Sequence, residues 1–535
     1  MLSRHNLLTS FLEQAVVTHP QSTAVEDASG QLSYAKLRDR ALRVAQLLKQ
    51  QGVARGDHVV LCMGNSIGFC AAFWGTLYAG AVAVPLNTDT KLPKLAFVLA
   101  DCAATAVIQD TDQTEKTAAA RQQAKSDAAL ISTGAETAFA DALQGAGELG
   151  AGTAQPATVL DQDLAAIIYT SGSTGHPKGV MLSHLNMTSA ARSVAEYLGY
   201  RASDRIFCAI PMTFDYGLHQ LTMAALTGAC LLVEPSFARP LFALQRLAKS
   251  AATVFPVVPT MVPLIAPLAA RYDFSSVRCI SSTAAALHAP FIDQLEAIFP
   301  NATVFSMYGL TECHRCTYLD PGELTRRRTS VGKAIPNTEL WVVDAEGTPH
   351  RRNATGELVI RGATVMKGYL NNPEKTAEKL RSGPMPGEQV LYTGDTCRLD
   401  EDGFVYFISR SDDILKVAGE KVAPSEVETA LIAHPDVGEV CALGVEHPVY
   451  GQQCCAVVSG PALNSKEVAQ ALKAWCAERL EAHVVPARIL VVEALARNGN
   501  GKIDRHQLRD WLEADLPPAR SSLRAPSPEA DPLPS

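Results

Sequence analysis

The residues with the clearest chemical potential form a loop, YTSGSTGHPKG, from Tyr169 to Gly179. It follows the apolar run AAII, which predicts that the loop begins where a strand ends. Gly, Ser and Thr there would let backbone N–H groups and hydroxyls surround phosphate oxygens, and Lys178 would add a point charge. The spacing is not that of a Walker loop, since Gly179 rather than Ser or Thr follows Lys178. A Ser/Gly-rich loop without this chemistry is the alternative.

Five further segments follow this loop along the chain. They are MYGLTE (Met307–Glu312), GELVIRG (Gly356–Gly362), YTGD (Tyr392–Asp395), ISRSDDILKVAGEKVAPSEVE (Ile408–Glu428) and NGNGKIDR (Asn498–Arg505). With the loop, they resemble the ordered motifs of the adenylate-forming superfamily, which includes acyl-CoA synthetases, luciferases and the adenylation domains of peptide synthetases. Any one segment could arise by chance, whereas all of them in the family's order, within a resemblance that spans about Tyr34 to Arg505, indicate membership of this family.

The resemblance implies a ligase that uses ATP. A carboxylate would attack the α-phosphorus, pyrophosphate would leave, and the acyl-AMP would pass its acyl group to the thiol of coenzyme A or of a carrier-protein phosphopantetheine. Negative charge meets negative charge in the first step, so the site must supply cations and hydrogen-bond donors. Glu312 would hold Mg²⁺, a hard ion that prefers oxygen ligands, and Lys502 would bridge the carboxylate and the α-phosphate.

The resemblance also implies the remaining nucleotide contacts. Thr311 would contact the α-phosphate, Tyr308 would stack beside the adenine, and Asp395 and Arg410 would bind the ribose. The β- and γ-phosphates would be held by Thr170, Ser171, Gly172, Ser173, Thr174, Gly175 and Lys178. Two departures from the family pattern are Ser409, where Gly is usual, and SSTAAAL (Ser281–Leu287) in the adenine segment. Neither removes a catalytic group.

The predicted fold class is α/β, with a large multi-sheet α/β N-terminal domain (1–411) and a small mobile α+β C-terminal domain (412–515). Short apolar runs typical of strands alternate with helical or polar segments through the first of these. After Asp412 the predicted helices and strands follow the pattern of a smaller α+β domain. Six prolines and few apolar residues predict a disordered tail over 516–535.

In the resembled family the small domain turns about a hinge between the two half-reactions, and Asp412 matches that hinge. Before the turn Lys502 would reach the ATP. After it, the loop that carries Gly419 and Lys421 would line the entry of the thiol, where a small residue suits a pantetheine arm. NGNGKIDR slightly favours a carrier protein as acceptor, by resemblance to peptide-synthetase modules, and we expect any carrier to be a separate chain.

The run from Val59 to Thr88 contains no charged residue and is long enough to be considered as a membrane span. It is interrupted by glycines, an Asn and a Pro. It parses better as a strand (His58–Cys62), a helix (about Ile67 to Tyr78) and a strand (Ala81–Val84), since a helix packed inside such a unit is apolar nearly all round. The sequence therefore predicts no membrane span.

Composition excludes some classes of partner and compartment. Lys and Arg total 47 against 55 Asp and Glu, which gives a formal charge of −8. No basic excess exists to neutralise a phosphate backbone, so we expect no nucleic acid partner. The N-terminus lacks the long apolar core of a secretory signal. The 13 cysteines are typical of reduced, buried residues in a cytoplasmic protein.

The acyl pocket of the resembled family corresponds in this chain to IPMTFDYGLHQL (Ile210–Leu221). The implied pocket residues are Asp215, Tyr216, His219, Met307 and Arg315. In amino-acid-activating members the Asp of the Phe-Asp pair binds the α-ammonium group, so Asp215 is a candidate amino anchor, with a structural Asp as the alternative. A carboxylate is costly to bury alone. It must pair with a substrate ammonium, which we favour slightly, or with Arg315, which could also bind an acidic substrate group.

Two other features of the sequence bear on the substrate. CHRC (Cys313–Cys316) has too few ligands, placed too close together, for a structural zinc site without a distant second pair, so we expect pocket-wall residues there. The segments SVAEYLG (Ser193–Gly199), FDYGLHQL (Phe214–Leu221) and SVGKAIPN (Ser330–Asn337) resemble AMP-forming acyl-CoA ligases associated with exosortase and exopolysaccharide gene clusters. That resemblance does not specify the acid.

Two other functions remain open alongside an acid–thiol ligase. A non-catalytic adenylate-binding or regulatory protein of the same fold would be expected to have lost Lys178, Glu312, Asp395 or Lys502, and all four are present. A phosphotransferase would release ADP, whereas the ligase would release AMP and pyrophosphate. For the acid–thiol ligase, the expected substrate is a small carboxylic or amino acid.

Overall fold

The structure is a computed structural model that describes residues 6–134, 138–144, 156–170, 177–410, 415–417, 420–447, 451–460, 463, 466–480, 484–498 and 502–514. The chain divides into two compact units, 1–407 and 408–535. Across the described ranges, none of the helices has the length and apolar character needed to span a bilayer.

The helices in chain order are α1 (Leu8–Thr18), α2 (Tyr34–Gln50), α3 (Ile67–Ala79), α4 (Leu92–Asp101), α5 (Thr114–Ala124), α6 (Ala138–Gln144), α7 (His184–Tyr197), α8 (Asp215–Thr227), α9 (Pro240–Lys249), α10 (Val262–Ile265), α11 (Ala289–Ile298), α12 (Pro373–Lys379), α13 (Pro424–Ile432), α14 (Lys466–Ala477) and α15 (Arg505–Glu513). Short 3₁₀ turns span Thr111–Gln113, Pro259–Met261, Ala266–Arg271 and Pro321–Glu323.

The strands follow the same order. They are β1 (Thr23–Asp27), β2 (Gly30–Ser33), β3 (His58–Cys62), β4 (Val82–Leu86), β5 (Ala106–Gln109), β6 (Ala129–Ser132), β7 (Leu164–Thr170), β8 (Lys178–Ser183), β9 (Arg205–Cys208), β10 (Cys230–Val233), β11 (Val254–Val257), β12 (Cys279–Ser282), β13 (Thr303–Tyr308), β14 (Thr317–Tyr318), β15 (Lys333–Ala334), β16 (Thr338–Val343), β17 (Pro349–His350), β18 (Ala354–Gly362), β19 (Gly368–Tyr369), β20 (Leu380–Ser382), β21 (Gln389–Leu399), β22 (Val405–Arg410), β23 (Leu415–Val417), β24 (Glu420–Val422), β25 (Glu439–His447), β26 (Gly451–Ser459) and β27 (Arg488–Val491).

One sheet of the first unit contains the uncharged run from Val59 to Thr88. Its order is β19-β8-β7-β4-β3-β5-β6. Strands β3 and β4 are parallel, so α3 must cross between them. The helix is buried from Phe69 to Ala79 and ends at Gly80, whose φ of 81° places it in the left-handed region that favours glycine. The predicted strand–helix–strand unit is confirmed.

A second sheet carries the strand ends that lead into the predicted acyl pocket. Its order is β15-β14-β13-β12-β11-β9-β10-β1-β2, and β10, β9, β11, β12 and β13 pair in parallel. Ligands in parallel α/β sheets bind beyond the carboxyl ends of the strands. In this sheet those ends lead into the Ser281–Leu287 segment and into the loop that carries Thr311 and Glu312.

A third, mostly antiparallel sheet positions Asp395. Its order is β17-β16-β18-β21-β20, and β22 pairs with β21. The sequence TCRLDEDGFVYFI (Thr396–Ile408) predicts a hairpin with Asp402-Gly403 at its turn, and this prediction is confirmed, since β22 pairs with β21 and Gly403 has a φ of 80°. Asp395 lies within β21 and is buried.

The second unit has an α+β fold. Within its described residues the sheet order is β24-β23-β26-β25, with β27 beside β26. Leu508 and Leu512 of α15 pack against apolar side chains of β25 and β26. The predicted fold class, a large multi-sheet α/β domain followed by a small α+β domain, is confirmed. The predicted boundary at 411/412 and the tail at 516–535 lie outside the described residues.

Candidate active site

The predicted phosphate-binding loop connects two antiparallel strands. Thr170 is the last residue of β7 and Lys178 is the first of β8, and the two lie opposite each other in the register. The prediction that this loop begins at the end of a strand is therefore confirmed. Ser171, Gly172, Ser173, Thr174 and Gly175 lie outside the described residues.

A tyrosine outside the predicted motifs links Lys178 with Glu312. Tyr369 Oη donates a hydrogen bond to Glu312 Oε1 at 2.7 Å. The Lys178 ammonium lies 5.6 Å from the centre of the Tyr369 ring, within the range of a cation–π contact. The candidate phosphate-binding cation and the candidate Mg²⁺ ligand therefore share one neighbour.

Thr311 and Glu312 lie on the loop after β13, and a glycine determines the path of that loop. A Cβ on Gly309 would lie 2.2 Å from the His314 carbonyl oxygen and 2.8 Å from the Arg315 Cα. These are backbone atoms, so no side chain can yield to make room. A backbone hydrogen bond also holds the loop in place, since the Glu312 carbonyl accepts from Met366 N at 2.8 Å.

We expect Gly309→Ala to slow adenylate formation by about 100-fold, because the loop must shift and a misplacement of about 1 Å can have that effect. Pyrophosphate exchange would measure the rate, and thermal melting would show that the variant folds. Gly64→Ala is the control, since a Cβ there would lie 3.6 Å from its nearest neighbour, an Asp110 oxygen. Unchanged exchange in Gly309→Ala would show that this close approach is not required.

Tyr308 and Asp395, from two different motifs, are directly bonded. Tyr308 Oη donates to Asp395 Oδ2 at 2.5 Å. Burial, and then the charge of Asp395, raises the pKa of Tyr308 well above its ordinary value, so this hydroxyl stays protonated and remains a donor. Asp395 N donates to Thr393 Oγ1 at 3.1 Å. The candidate adenine and ribose contacts thus form one fixed pair.

Asp215 and Arg315, predicted for the acyl pocket, form a buried ion pair. Arg315 Nη1 donates to Asp215 Oδ2 at 3.1 Å and to the His314 carbonyl oxygen at 2.6 Å. The exposed fractions of the Arg315 and Asp215 side chains are 3% and 11%. Asp215 is the first residue of α8, where the helix dipole also favours a negative charge. Of the two partners left open for Asp215, the structure contains the protein cation.

The other pocket residues surround this pair. The Arg315 guanidinium lies 4.6 Å from the centre of the Tyr216 ring, and Tyr216 Oη donates to the Ser281 carbonyl oxygen at 2.7 Å. Met307 Sδ accepts a hydrogen bond from Tyr197 Oη at 2.9 Å. Burial raises the pKa of Tyr197, and the Arg315 charge opposes that shift. The five predicted pocket residues therefore lie in one neighbourhood.

Two histidines face each other beside the ion pair. The rings of His219 and His314 lie 5.4 Å apart at an angle of 26°. Burial lowers the pKa of His314 to about 4, with Asp215 opposing and Arg315 adding to the shift. Burial also lowers the pKa of His219 well below its ordinary value. Both rings are therefore neutral at pH 7, and each has one N–H donor.

His314 lies in the CHRC segment that was predicted to contribute pocket-wall residues, and its backbone conformation is unusual. Its φ of 56° lies in the left-handed region, which few residues other than glycine adopt. Its neighbours Cys313 and Cys316 are buried, with their sulfurs 3.0 Å apart. Among the residues that the structure describes, no group of three or more His, Cys, Asp or Glu side chains is arranged to hold a metal ion.

The second unit holds the remaining predicted residues. Arg410 is exposed at the end of β22, and Lys421 lies in β24, with only its backbone described. Asp412 and Gly419 lie outside the described residues. Their roles stay predictions.

Lys502 lies in a closed loop of the second unit. Its backbone N donates to Asn498 Oδ1 at 3.1 Å, and its carbonyl accepts from Asn498 N at 2.8 Å. A bridge between Arg497 and Ile503 closes the loop further. Asp504 then caps α15, accepting hydrogen bonds from two backbone N–H groups of its first turn. The backbone of Lys502 is therefore fixed while its side chain is exposed.

Both units match protein families. Residues 12–370 match the model of the AMP-binding enzyme family, and residues 426–502 match that of the AMP-binding enzyme C-terminal domain.

Individual relatives match over nearly their whole length. A long-chain-fatty-acid–CoA ligase of Mycobacterium tuberculosis is 30% identical over 515 residues, covering 95% of this chain and 98% of that protein. A 2-succinylbenzoate–CoA ligase of Geobacillus kaustophilus is 31% identical over 505 residues, covering 94% and 97%. The crystal structure of the anthranilate CoA ligase AuaEII with anthranoyl-AMP is similar, with a TM-score of 0.85, 27% identity and coverage of 95% and 98%.

Proposed function

The chain belongs to the family of AMP-binding enzymes, and we propose that it joins a carboxylic acid that lacks an α-ammonium group to coenzyme A. It is an AMP-forming acid–thiol ligase that uses ATP. The observation that carries the proposal is the arrangement of the first unit, in which the Tyr308–Asp395 pair and the Lys178–Tyr369–Glu312 group assemble from separate motifs.

The first half-reaction would proceed by displacement at phosphorus. A carboxylate oxygen attacks the α-phosphorus, and the bond from that phosphorus to the bridging oxygen breaks, so that pyrophosphate leaves. Lys178 and the loop after Thr170 would neutralise the β- and γ-phosphates. Glu312 would hold Mg²⁺, since this ion is commonly bound by one or two carboxylates together with substrate phosphates. Thr311 would contact the α-phosphate.

The rest of the nucleotide would be held by Tyr308 at the adenine and by Asp395 and Arg410 at the ribose. Lys502 would stabilise the charge that builds between the carboxylate and the α-phosphate. In the second half-reaction the thiol sulfur attacks the acyl carbon, and AMP leaves. We propose that Asp412 is the hinge between these steps and that Gly419 and Lys421 line the entry of the thiol.

Coenzyme A is the acceptor that we favour, because relatives that match this chain over nearly their whole length are named as CoA ligases. The NGNGKIDR segment supports a second candidate, the phosphopantetheine of a separate carrier protein. The relatives do not indicate one class of acid substrate, since one is named for long-chain fatty acids and another for 2-succinylbenzoate. Arg315 already compensates Asp215, which argues against an amino acid. A cytoplasmic location stays a prediction.

A panel of carboxylic and amino acids would test this function. We expect at least one acid without an α-amino group to support pyrophosphate exchange, and the full reaction with coenzyme A to release AMP and pyrophosphate. Selective activation of amino acids would overturn the choice of acid. ADP as the product would favour a phosphotransferase, and ATP binding without turnover would favour a regulatory protein.

A further inference from the structure

The cluster around Arg315 contains more buried hydrogen-bond donors than the protein uses. Within the described residues, Arg315 Nε and Nη2, both ring nitrogens of His314 and His219 Nε2 are buried and have no hydrogen-bond partner. The exposed fractions of Arg315, His314 and His219 are 2%, 1% and 1%. Buried polar groups are normally satisfied, so several unsatisfied ones in a single place indicate a ligand.

The unused edge of Arg315 has a definite shape. Nη1 is occupied, because it donates to Asp215 and to the His314 carbonyl. Nε and Nη2, in contrast, project N–H groups side by side along the other edge of the planar guanidinium. Two parallel donors of this kind match the two oxygens of a carboxylate.

We propose that the substrate is a dicarboxylic acid whose second carboxylate binds side-on to Arg315 Nε and Nη2. This inference rests on the proposed function, since it requires that the first carboxylate is the one activated. His219 and His314 would each supply one N–H to the remaining lone pairs of the bound group. The left-handed backbone of His314 holds its ring against that of His219, and local strain of this kind is common at ligand-binding residues.

The same geometry disfavours two other substrate classes. An ammonium group would be repelled by Arg315 and would compete with it for Asp215. A single hydroxyl or carbonyl oxygen would satisfy one of the two parallel donors well and leave the other buried and unpaired, which is unfavourable. A carboxylate satisfies both, and Arg315 would then be shared between Asp215 at Nη1 and the substrate at its other edge.

Matched acids test the proposal on the full-length enzyme with ATP, Mg²⁺ and coenzyme A. Each α,ω-dicarboxylic acid is compared with the monocarboxylic acid and the ω-hydroxy acid of the same chain length. We expect kcat/KM for the best dicarboxylic acid to exceed that of its monocarboxylic partner by about 100-fold, an effect within the range for removing one partner of a buried charge pair.

A variant of Arg315 tests the residue itself. Arg315→Lys keeps a cation for Asp215 but loses the paired donors, so the preference for the dicarboxylic acid should fall by at least about 10-fold. Arg278→Lys is the matched control, since Arg278 binds Asp204 through Nε at 2.8 Å outside this cluster, and its preference should be unchanged. The double variant Asp215→Asn/Arg315→Gln removes both charges together and should also lose the preference.

The outcomes separate the two levels of inference. If monocarboxylic or hydroxy acids are activated as well as dicarboxylic acids, the dicarboxylate site is wrong and the ligase function stands. If no acid releases pyrophosphate, the proposed function fails and the substrate class fails with it. If Arg315→Lys does not fold, the wild-type preference and the double variant decide.

Discussion

Lys502→Ala is expected to slow adenylate formation by about 100- to 1000-fold, the usual effect of losing one donor to transition-state charge. Transfer of the acyl group from supplied acyl-AMP to coenzyme A should stay within about twofold of wild type, because Lys502 serves only the first half-reaction. The reason is its place in the second unit, which we propose turns about Asp412 between the two steps.

The two half-reactions can be measured separately, by pyrophosphate exchange and by thioester formation from synthetic acyl-AMP. Lys473→Ala is a suitable control, since Lys473 is also an exposed lysine of the second unit and its ammonium bonds the Ala487 carbonyl at 3.0 Å. Equal loss in both half-reactions would contradict the alternation of domains. Loss in the Lys473 variant as well would indicate damage to the fold of the unit.

Asp395→Asn is expected to lower kcat/KM for ATP by about 100-fold, because a charged acceptor for the ribose hydroxyls is replaced by a neutral amide. The amide oxygen can still accept the Tyr308 hydroxyl, so we expect the pair and the fold to survive. Tyr308→Phe is the complementary variant. It removes the hydroxyl and keeps the carboxylate, so its effect should be smaller.

Deoxynucleotides would distinguish a ribose contact from a structural role for Asp395. The wild type should prefer ATP over 2′-deoxy-ATP by about 10-fold or more, the value of one hydrogen bond to a charged group. In Asp395→Asn this preference should largely vanish. If the variant discriminates between the two nucleotides as well as wild type, Asp395 supports Tyr308 and does not bind the ribose.

Local patterns in the sequence were sufficient to predict those elements whose structure depends on hydrophobic periodicity and on turn residues. The uncharged run after Val59 folds as β3, α3 and β4 because Asn, Ser and Gly interrupt it and its helix is buried on all sides. The Asp402-Gly403 turn predicted the β21–β22 hairpin for the same kind of reason. The composition of residues 112–160, which are rich in Ala, Gly, Gln and Thr, predicts surface helices and loops and does not reveal the short strand β6 within them.

The sequence did not determine which residues far apart along the chain contact each other. The sequence analysis left Asp215 two possible partners, a substrate ammonium, which it favoured slightly, and Arg315, and only the fold shows that Arg315 bonds to it. Tyr369 was missed because its partner Glu312 comes from another motif and nothing in KGYL indicates that contact. The parallel pairing of β1 with β10 was likewise not predicted, since the two strands are far apart along the chain.

The sequence placed His314 in the pocket wall as part of CHRC, but it gave no specific role to this residue. Within CHRC a histidine suggests metal binding first, and that interpretation fails for lack of further ligands. Its backbone is in the left-handed region, and its carbonyl oxygen lies close to Gly309. A backbone conformation of this kind depends on packing between separate segments, so the residue type at position 314 does not predict it.

An oxygen-isotope experiment tests most directly whether the enzyme forms an acyl-AMP. An accepted acid labelled with ¹⁸O in the activated carboxylate would be converted to its thioester, and the products would be examined by mass spectrometry. Because the carboxylate oxygen bonds to the α-phosphorus and stays there when the thiol attacks the acyl carbon, we predict one ¹⁸O in AMP and none in pyrophosphate. Unlabelled AMP, or label in orthophosphate released together with ADP, would contradict the account.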